Sequence, residues 1–376
     1  MKRQETEELA RQIEEANKNA QQKKELVELI SRHVPEIAKV DDAAITVKRI
    51  TEGMSNLVYK VLTEGEGDLD FIVKKFLKNP EDEDHVKINF YDREVMKRMI
   101  EIGYGAKIYY SSLEEGYEVQ QMIPGKVFSP ELLEDEKVMG LLIAELALFH
   151  ETLIDIREKA ELNTKNLVLD MIEKGVEPKF RAEFNRLLTM DKIGDDIKAD
   201  LKHILEIFES EQTKKILEVS SRENFPFIFS HNDVNIFNIF YDEEKQNVTL
   251  LDFEYACFSA IGHDLAYLIS GSVHNFGHPE AYFRPEKFPD EQKLDKMVDS
   301  YLGSFKDLKK VFEGFDLDKA KEIVLESLKS SFIVVNVFWI FWSMFMIDNP
   351  HAPFNWHLYL QSRIDLHNFI IQKYWS

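Results

Sequence analysis

The stretch "FIFSHNDVNIFNIFYDEEKQNVTLLDFEY", residues 227–255, sets aspartates and asparagines between apolar runs that read as strands. Phosphoryl transfer asks for such a set. One carboxylate must accept the proton of the attacking hydroxyl, while an amide oxygen and a second carboxylate hold magnesium against nucleotide phosphates. Asp233, Asn238 and Asp252 supply those three parts. A base and an Asn five residues on can share one side of a tight loop, and a hairpin turning at "YDEEKQN" then returns the chain so that Asp252 arrives beside them.

Other elements must position this set. From about 44 to 123 the chain runs in short β-type segments, "AITVKRI", "NLVYKVLTEG", "DLDFIVKKFL", "AKIYYSS" and "YEVQQMI", several separated by Gly-containing turns. Between the third and fourth, "HVKINFYDREVMKRMIEIG" has helical period and ends at Gly103. Five strands and one helix predict a small antiparallel lobe. Its features follow the order a kinase requires. Gly53, Ser55 and Asn56 sit between the first two strands, Lys74 or Lys75 offers a strand cation, and Glu94 on the helix can orient it. Strand alternation puts Lys75 opposite Lys74, toward solvent.

After Pro124 and Gly125 the chain becomes mainly helical, with late helices expected at about 261–271, 288–302, 317–347 and 355–373. Three segments result: a charged helix within 1–43, an ATP-binding lobe at 44–123, and a catalytic and substrate-binding lobe at 124–376. "SFIVVNVFWIFWSMFMI", residues 331–347, is the longest apolar run. Asn336 and Ser343 interrupt it, and at about 1.5 Å per residue it falls short of a bilayer core of about 30 Å. It reads as a buried core helix, without stable membrane insertion.

The 376 residues carry a formal charge of −21, which disfavours nucleic acid and phospholipid surfaces as partners. Cys257 is the single cysteine, so an internal disulfide and a cysteine-built zinc site are excluded. With a charged amino terminus, this gives cytoplasmic location as the expectation.

Together "GMSN", "GAKIYY", "QQMIPG", "HNDVNIFN", "DFEYA" and "FWIFWS" resemble the choline/ethanolamine kinase family over roughly residues 45–370. The resemblance implies an α+β, two-lobed protein-kinase-like fold of the choline kinase/aminoglycoside phosphotransferase type, with a small antiparallel β lobe and a large mainly helical lobe. It implies ATP-dependent phosphorylation of choline to phosphocholine, the first step of the CDP-choline route, with Mg2+ as cofactor and a possible homodimer. By position, Asp233 resembles the general base, and Asn238 and Asp252 the metal ligands. Lys74 matches the phosphate-binding cation, with Glu94 its partner. Ser55 and Asn56 would cap the terminal phosphates, Gln121 and Ile123 would frame adenine at the hinge, and Asn235 would face the nucleotide.

A quaternary ammonium donates no hydrogen bond, so aromatic faces and carboxylates must recognise it. Tyr255, Trp339, Trp342 and Tyr359 match the family's aromatic cage. Two departures stand out. Glu52 replaces the first of two loop glycines, and "DLAYLISGS" puts Gly271 where the family has an acid facing the amine, so that either another carboxylate such as Glu254 neutralises the cation or selectivity has drifted. His231 reads as a backbone brace, Asp264 as an acceptor of loop amides, and His274, His278, His351 and His357 as surface or loop histidines. Ethanolamine is the alternative acceptor. More distant readings are another small-molecule kinase and a nucleotide-binding pseudokinase.

Overall fold

The computed structural model describes residues 19–50, 56–65, 69–76, 105–112, 114–154, 177–191, 194–220, 225–253, 255–274, 282–347 and 355–376. Gly53, Ser55, Glu94, Glu254, His278, His351 and the helix expected at 85–103 lie outside the described residues. The chain divides into two compact units, Met1–Pro124 and Gly125–Ser376.

The first unit is built on a five-stranded antiparallel sheet, β1 (Ile45–Ile50), β2 (Asn56–Thr63), β3 (Phe71–Phe76), β4 (Ile108–Ser112) and β5 (Tyr117–Gln121), in the order β1-β2-β3-β5-β4. Alternation along β3 gives the sheet two different faces. Phe71 and Val73 are buried, whereas Ile72 and Lys74 are half-buried on the other side. The buried face is covered by the helix at residues 19–33 and the turn after it, through Leu26, Leu29, Ile30, Val34 and Ile37. Gln22 donates from Nε2 to the Tyr59 hydroxyl at 2.7 Å, and the His33 ring stacks on Tyr110 at 3.8 Å. Its sparse apolar residues suffice because a helix buries only a stripe, here against β-branched and aromatic residues.

In the second unit, helices form where apolar residues recur at helical period, and Asp135, Asp290, Asp316 and Asn355 cap four of them with side-chain oxygens on backbone amides. The long helix Leu317–Met346 packs against Trp356–Tyr374, His263–Ser272 and Glu211–Ser220. It is the one helix among the described residues apolar and long enough to cross a membrane, and 72% of its most apolar window is buried inside the fold. Two of its serines bond within the helix: Ser343 Oγ donates to the Trp339 carbonyl at 2.6 Å and Ser330 Oγ to the Ser327 carbonyl at 3.0 Å. Two small sheets complete the unit: β6 (Lys126–Val127), β8 (Ile239–Asp242) and β9 (Asn247–Leu250) in the order β6-β8-β9, and β7 (Phe227–Ser230) paired with β10 (Cys257–Ala260).

Candidate active site

Strand β7 is buried along its whole length and delivers His231, Asn232 and Asp233 to its end. The β8–β9 hairpin sets Ile239 opposite Leu250, and the Leu251 amide donates to the Asn238 carbonyl at 2.8 Å. Asn238 therefore faces Leu251, one residue from Asp252. The backbone is unusual here, with Asn232 at φ 59° and Asp252 at φ 64°. Such left-handed conformations are strained for non-glycine residues and persist only when surrounding bonds impose them. Those bonds are present. Asn232 donates from Nδ2 to the carbonyls of Ser230 at 3.2 Å and Tyr255 at 3.1 Å, tying together the two segments that carry Asp233 and Asp252.

Asp264, in the helix His263–Ser272, accepts the backbone amides of His231 at 2.7 Å and Asn232 at 2.9 Å. Behind it, His150 Nε2 lies 2.9 Å from Asp264 Oδ2 and His150 Nδ1 lies 2.6 Å from the Tyr301 hydroxyl. Burial alone would raise the Asp264 carboxyl, but the hydrogen bond and charge of His150, with His263 and His231 nearby, hold it at about 2. Asp264 is a permanent anion that braces the loop. His231 Nε2 lies 2.9 Å from the Leu251 carbonyl, so this ring fastens the loop to the hairpin.

Asp233 is half-buried, and its carboxyl is already engaged on three sides. Oδ1 accepts from the Tyr267 hydroxyl at 2.6 Å and from Asn235 Nδ2 at 2.9 Å, while Oδ2 accepts from Asn238 Nδ2 at 2.7 Å. A carboxylate has about four acceptor directions, two per oxygen. Oδ1 is saturated and Oδ2 keeps one, which makes Oδ2 the oxygen for a substrate hydroxyl. Burial raises the Asp233 carboxyl above its ordinary range, an effect opposed by the Tyr267 and Asn235 hydrogen bonds, which suits a base.

Asn238 spends its amide nitrogen on Asp233, through Oδ2 and through the backbone carbonyl at 3.0 Å, which leaves its side-chain oxygen as an acceptor. With the Asp252 carboxylate this makes a hard-oxygen pair of the kind Mg2+ takes. Among the described residues no group of three or more metal-binding acids, histidines or cysteines occurs. Two protein oxygens completed by nucleotide phosphates fit the ion; an all-protein cage does not.

The positions expected to meet ATP are only partly described. Lys74 stands opposite Glu118 on β5, an opposite-charge cross-strand pair, whereas Lys75 is exposed with its Nζ 5.4 Å over the Tyr117 ring. Asn56 begins β2. Gln121 ends β5, where its amide donates to the Lys107 carbonyl at 2.8 Å; Ile123, two residues on, is half-buried and outside the strand. Asn235 shapes the loop: its Nδ2 holds Asp233 at 2.9 Å and its Oδ1 accepts the Phe237 amide at 2.8 Å.

The four aromatics expected to form a cage divide into two groups. Trp342 meets Tyr255 edge-on at 6.5 Å and stacks with Phe338 at 6.3 Å. Trp339 instead meets Tyr267 at 5.9 Å and Tyr359 at 6.2 Å. Tyr359 is wholly buried, its ring against Trp356 and His274 and its hydroxyl accepting from Arg363 Nε at 2.9 Å. It is a support and not a wall, because a ring enclosed by other rings has no face left for substrate. His274, expected at the surface, is buried with Nδ1 2.7 Å from the Ser270 carbonyl, and His357 pairs with Asp200 at 2.9 Å. Tyr267 and Arg363 escaped sequence reasoning. Their signal is weak: Tyr267 lies three residues after Asp264 and Arg363 four after Tyr359.

A base loop, an adjoining amide and a carboxylate returned by a hairpin, following a small antiparallel sheet, define a protein-kinase-like fold. The chain belongs to the choline/ethanolamine kinase family, which it matches over residues 47–368. A probable ethanolamine kinase of Arabidopsis thaliana is 25% identical over 246 residues, 64% of this chain and 60% of the relative. The Homo sapiens choline/ethanolamine kinase is 23% identical over 266 residues, covering 69% and 62%. This chain thus spans about three fifths of the length of these two relatives. The probable ethanolamine kinase A of Dictyostelium discoideum is 22% identical and aligns over 91% of this chain and 90% of the relative. Among solved structures, choline kinase from Cryptosporidium parvum Iowa II superposes with a TM-score of 0.71 at 16% identity, covering 93% of this chain and 95% of that one. Plasmodium vivax ethanolamine kinase gives 0.64 at 15% identity, covering 88% and 82%. At these identities the structural likeness establishes the fold.

Proposed function

We propose that this chain transfers the γ-phosphoryl group of ATP to the hydroxyl of a small amino alcohol of the choline or ethanolamine type, with choline the favoured parent. The observation that carries the reading is the geometry of Asp233. Its Oδ2 keeps one open acceptor direction, beside an Asn and an Asp suited to a magnesium–phosphate complex. In the reaction the acceptor oxygen forms a bond to the γ-phosphorus, the bond from that phosphorus to the β-bridging oxygen breaks, and ADP leaves. The hydroxyl proton passes to Asp233 Oδ2. Mg2+ held by Asn238 and Asp252 would neutralise phosphate charge. Lys74 would add a fixed cation for phosphate in a chain of net charge −21.

Choline is favoured over ethanolamine because Tyr255, Phe338 and Trp342 offer aromatic faces, which attract a methylated ammonium that cannot hydrogen-bond. The reading also takes the protein to act in the cytoplasm, free of the membrane, and as a possible homodimer.

The test is purified chain with ATP and Mg2+, choline and ethanolamine side by side, and phosphorylated product followed by phosphorus NMR. Turnover of choline at the higher kcat/KM supports the reading, ethanolamine ahead reverses the acceptor, and ATP binding without transfer to either makes the chain a pseudokinase. Trp342→Ala is expected to raise KM for choline by about 2- to 30-fold with KM for ATP unchanged. An equal rise in both would return Trp342 to the core.

A further inference from the structure

Arg363 is buried in the aromatic group next to the base without a carboxylate. Its Nε and Nη2 both donate to the Tyr359 hydroxyl, and its Cζ lies 5.5 Å from the Trp339 ring centroid and 4.9 Å from that of Tyr359. No acidic side chain among the described residues pairs with it, and its Nη1 has no hydrogen-bond partner although it is out of contact with water. A buried charge left unpaired is a large desolvation penalty that ring faces offset only in part. The indole N–H groups of Trp339 and Trp342 are buried and unpartnered as well. Among the buried acceptors near them is Asn336 Oδ1, whose Nδ2 donates to the Arg363 carbonyl at 2.7 Å. Among the described residues no carboxylate offsets the guanidinium charge in this group.

The helix His263–Ser272 and the residues that follow present one stripe to this group. Tyr267, Gly271 and His274 recur at intervals of four and three residues, hence on one face. Tyr267 meets the Trp339 ring and donates to Asp233; His274 meets the Tyr359 ring at 5.7 Å. Gly271 lies between them, and a Cβ built there meets no atom within 4 Å. Among the described residues nothing therefore fills the space beside Gly271, on the face it shares with Tyr267 and His274.

We propose that Arg363 recognises a carboxylate on the acceptor, so that the preferred substrate is a small alcohol carrying both an ammonium and a carboxylate. The inference rests on the amino-alcohol kinase reading and narrows it: choline and ethanolamine are parent scaffolds, and the carboxylate supplies the negative charge that no described side chain gives Arg363. The hydroxyl meets Asp233 Oδ2, the ammonium meets the rings of Tyr255, Phe338 and Trp342, and the carboxylate accepts from Arg363 Nη1 and the Trp339 indole.

The test uses the full chain with ATP and Mg2+ and two matched pairs of probes, L-carnitine with choline and L-serine with ethanolamine. The expected result is a kcat/KM at least tenfold higher for the carboxylate-bearing member of one pair. That preference disappears in Arg363→Met and weakens in Arg363→Lys, with KM for ATP unchanged. Because removal of Arg363 could disturb folding, Gly271→Glu provides an independent variant. It adds an acid to the face shared by Tyr267 and His274, and is expected to lower use of the carboxylate probe at least tenfold while raising use of its parent. Preference for the parent in both pairs, or a preference that survives both Arg363→Met and Gly271→Glu, overturns the inference. Calorimetric binding of the carboxylate probes separates the two readings. If none of the four alcohols is phosphorylated, the kinase reading fails, while binding that weakens at least tenfold in Arg363→Met still supports the carboxylate site and unchanged binding overturns it.

Discussion

Asp233 is held by more neighbours than its spacing with Asn238 suggests. The carboxyl works at the end of a buried strand, with Tyr267, Asn235 and Asn238 fixing both oxygens. Asp233→Asn keeps size but removes the proton acceptor. It is expected to lower kcat about 10²- to 10⁴-fold while ATP binding, measured by calorimetry, stays near normal. Undiminished turnover would move the base elsewhere. The three-residue pattern was legible because base and ligands lie close in the chain. Tyr267 was not, because the contact to Asp233 joins residues 34 apart through the turn of β10 into a helix.

At the scale of elements, the base loop depends on how the helix His263–Ser272 approaches it. Gly262, which precedes this helix, presses on the backbone of Leu328 in the long helix and donates its amide to Ser327 Oγ at 2.9 Å. A Cβ at this position would collide with that backbone, and backbone moves less readily than a side chain. Gly262→Ala is expected to destabilise the second unit by about 1–3 kcal/mol, read as a lower urea midpoint. Because Asp264 and Tyr267 ride on the same helix, kcat should fall with it. A variant with wild-type stability would show that the two helices separate without penalty. The late helices stood out in the sequence since their apolar residues recur at helical period. The close crossing did not, since a glycine carries no sign of what it lies against.

The whole molecule adds two expectations. The amino-terminal helix is part of the first unit's core, so Ile30→Ala should cost about 2–5 kcal/mol, measured by denaturant unfolding. A loss below 0.5 kcal/mol would make that helix dispensable. The second concerns acid. Burial holds His263 and His367 at about 4 from an ordinary value of 6.5. The folded chain therefore keeps both rings neutral between pH 6.5 and 4 while the unfolded chain protonates them, so stability must fall as pH drops through this window. Each ring contributes a slope of up to about 1.4 kcal/mol per pH unit. Asp264, held at about 2 against an ordinary 3.8, adds a further loss below about pH 4. Melting temperatures from pH 7 to 4.5 should decline, and His367→Asn should flatten the decline. A pH-independent melting temperature would contradict the buried neutral state.

By itself the sequence determined the five strands of the small sheet, the late helices, and the hairpin that joins Asn238 to Asp252. All of these follow from period, turn residues and short spacing, which act locally along the chain. Only the tertiary structure decided that Asn235 turns inward, that Tyr359 is enclosed, and that His150, 114 residues from Asp264, holds the loop's anchor. It also decided that Arg363 meets rings and a hydroxyl but, among the described residues, no carboxylate. Such facts depend on which side chains meet when helices pack, and burial makes an unmatched charge informative only after that packing is known.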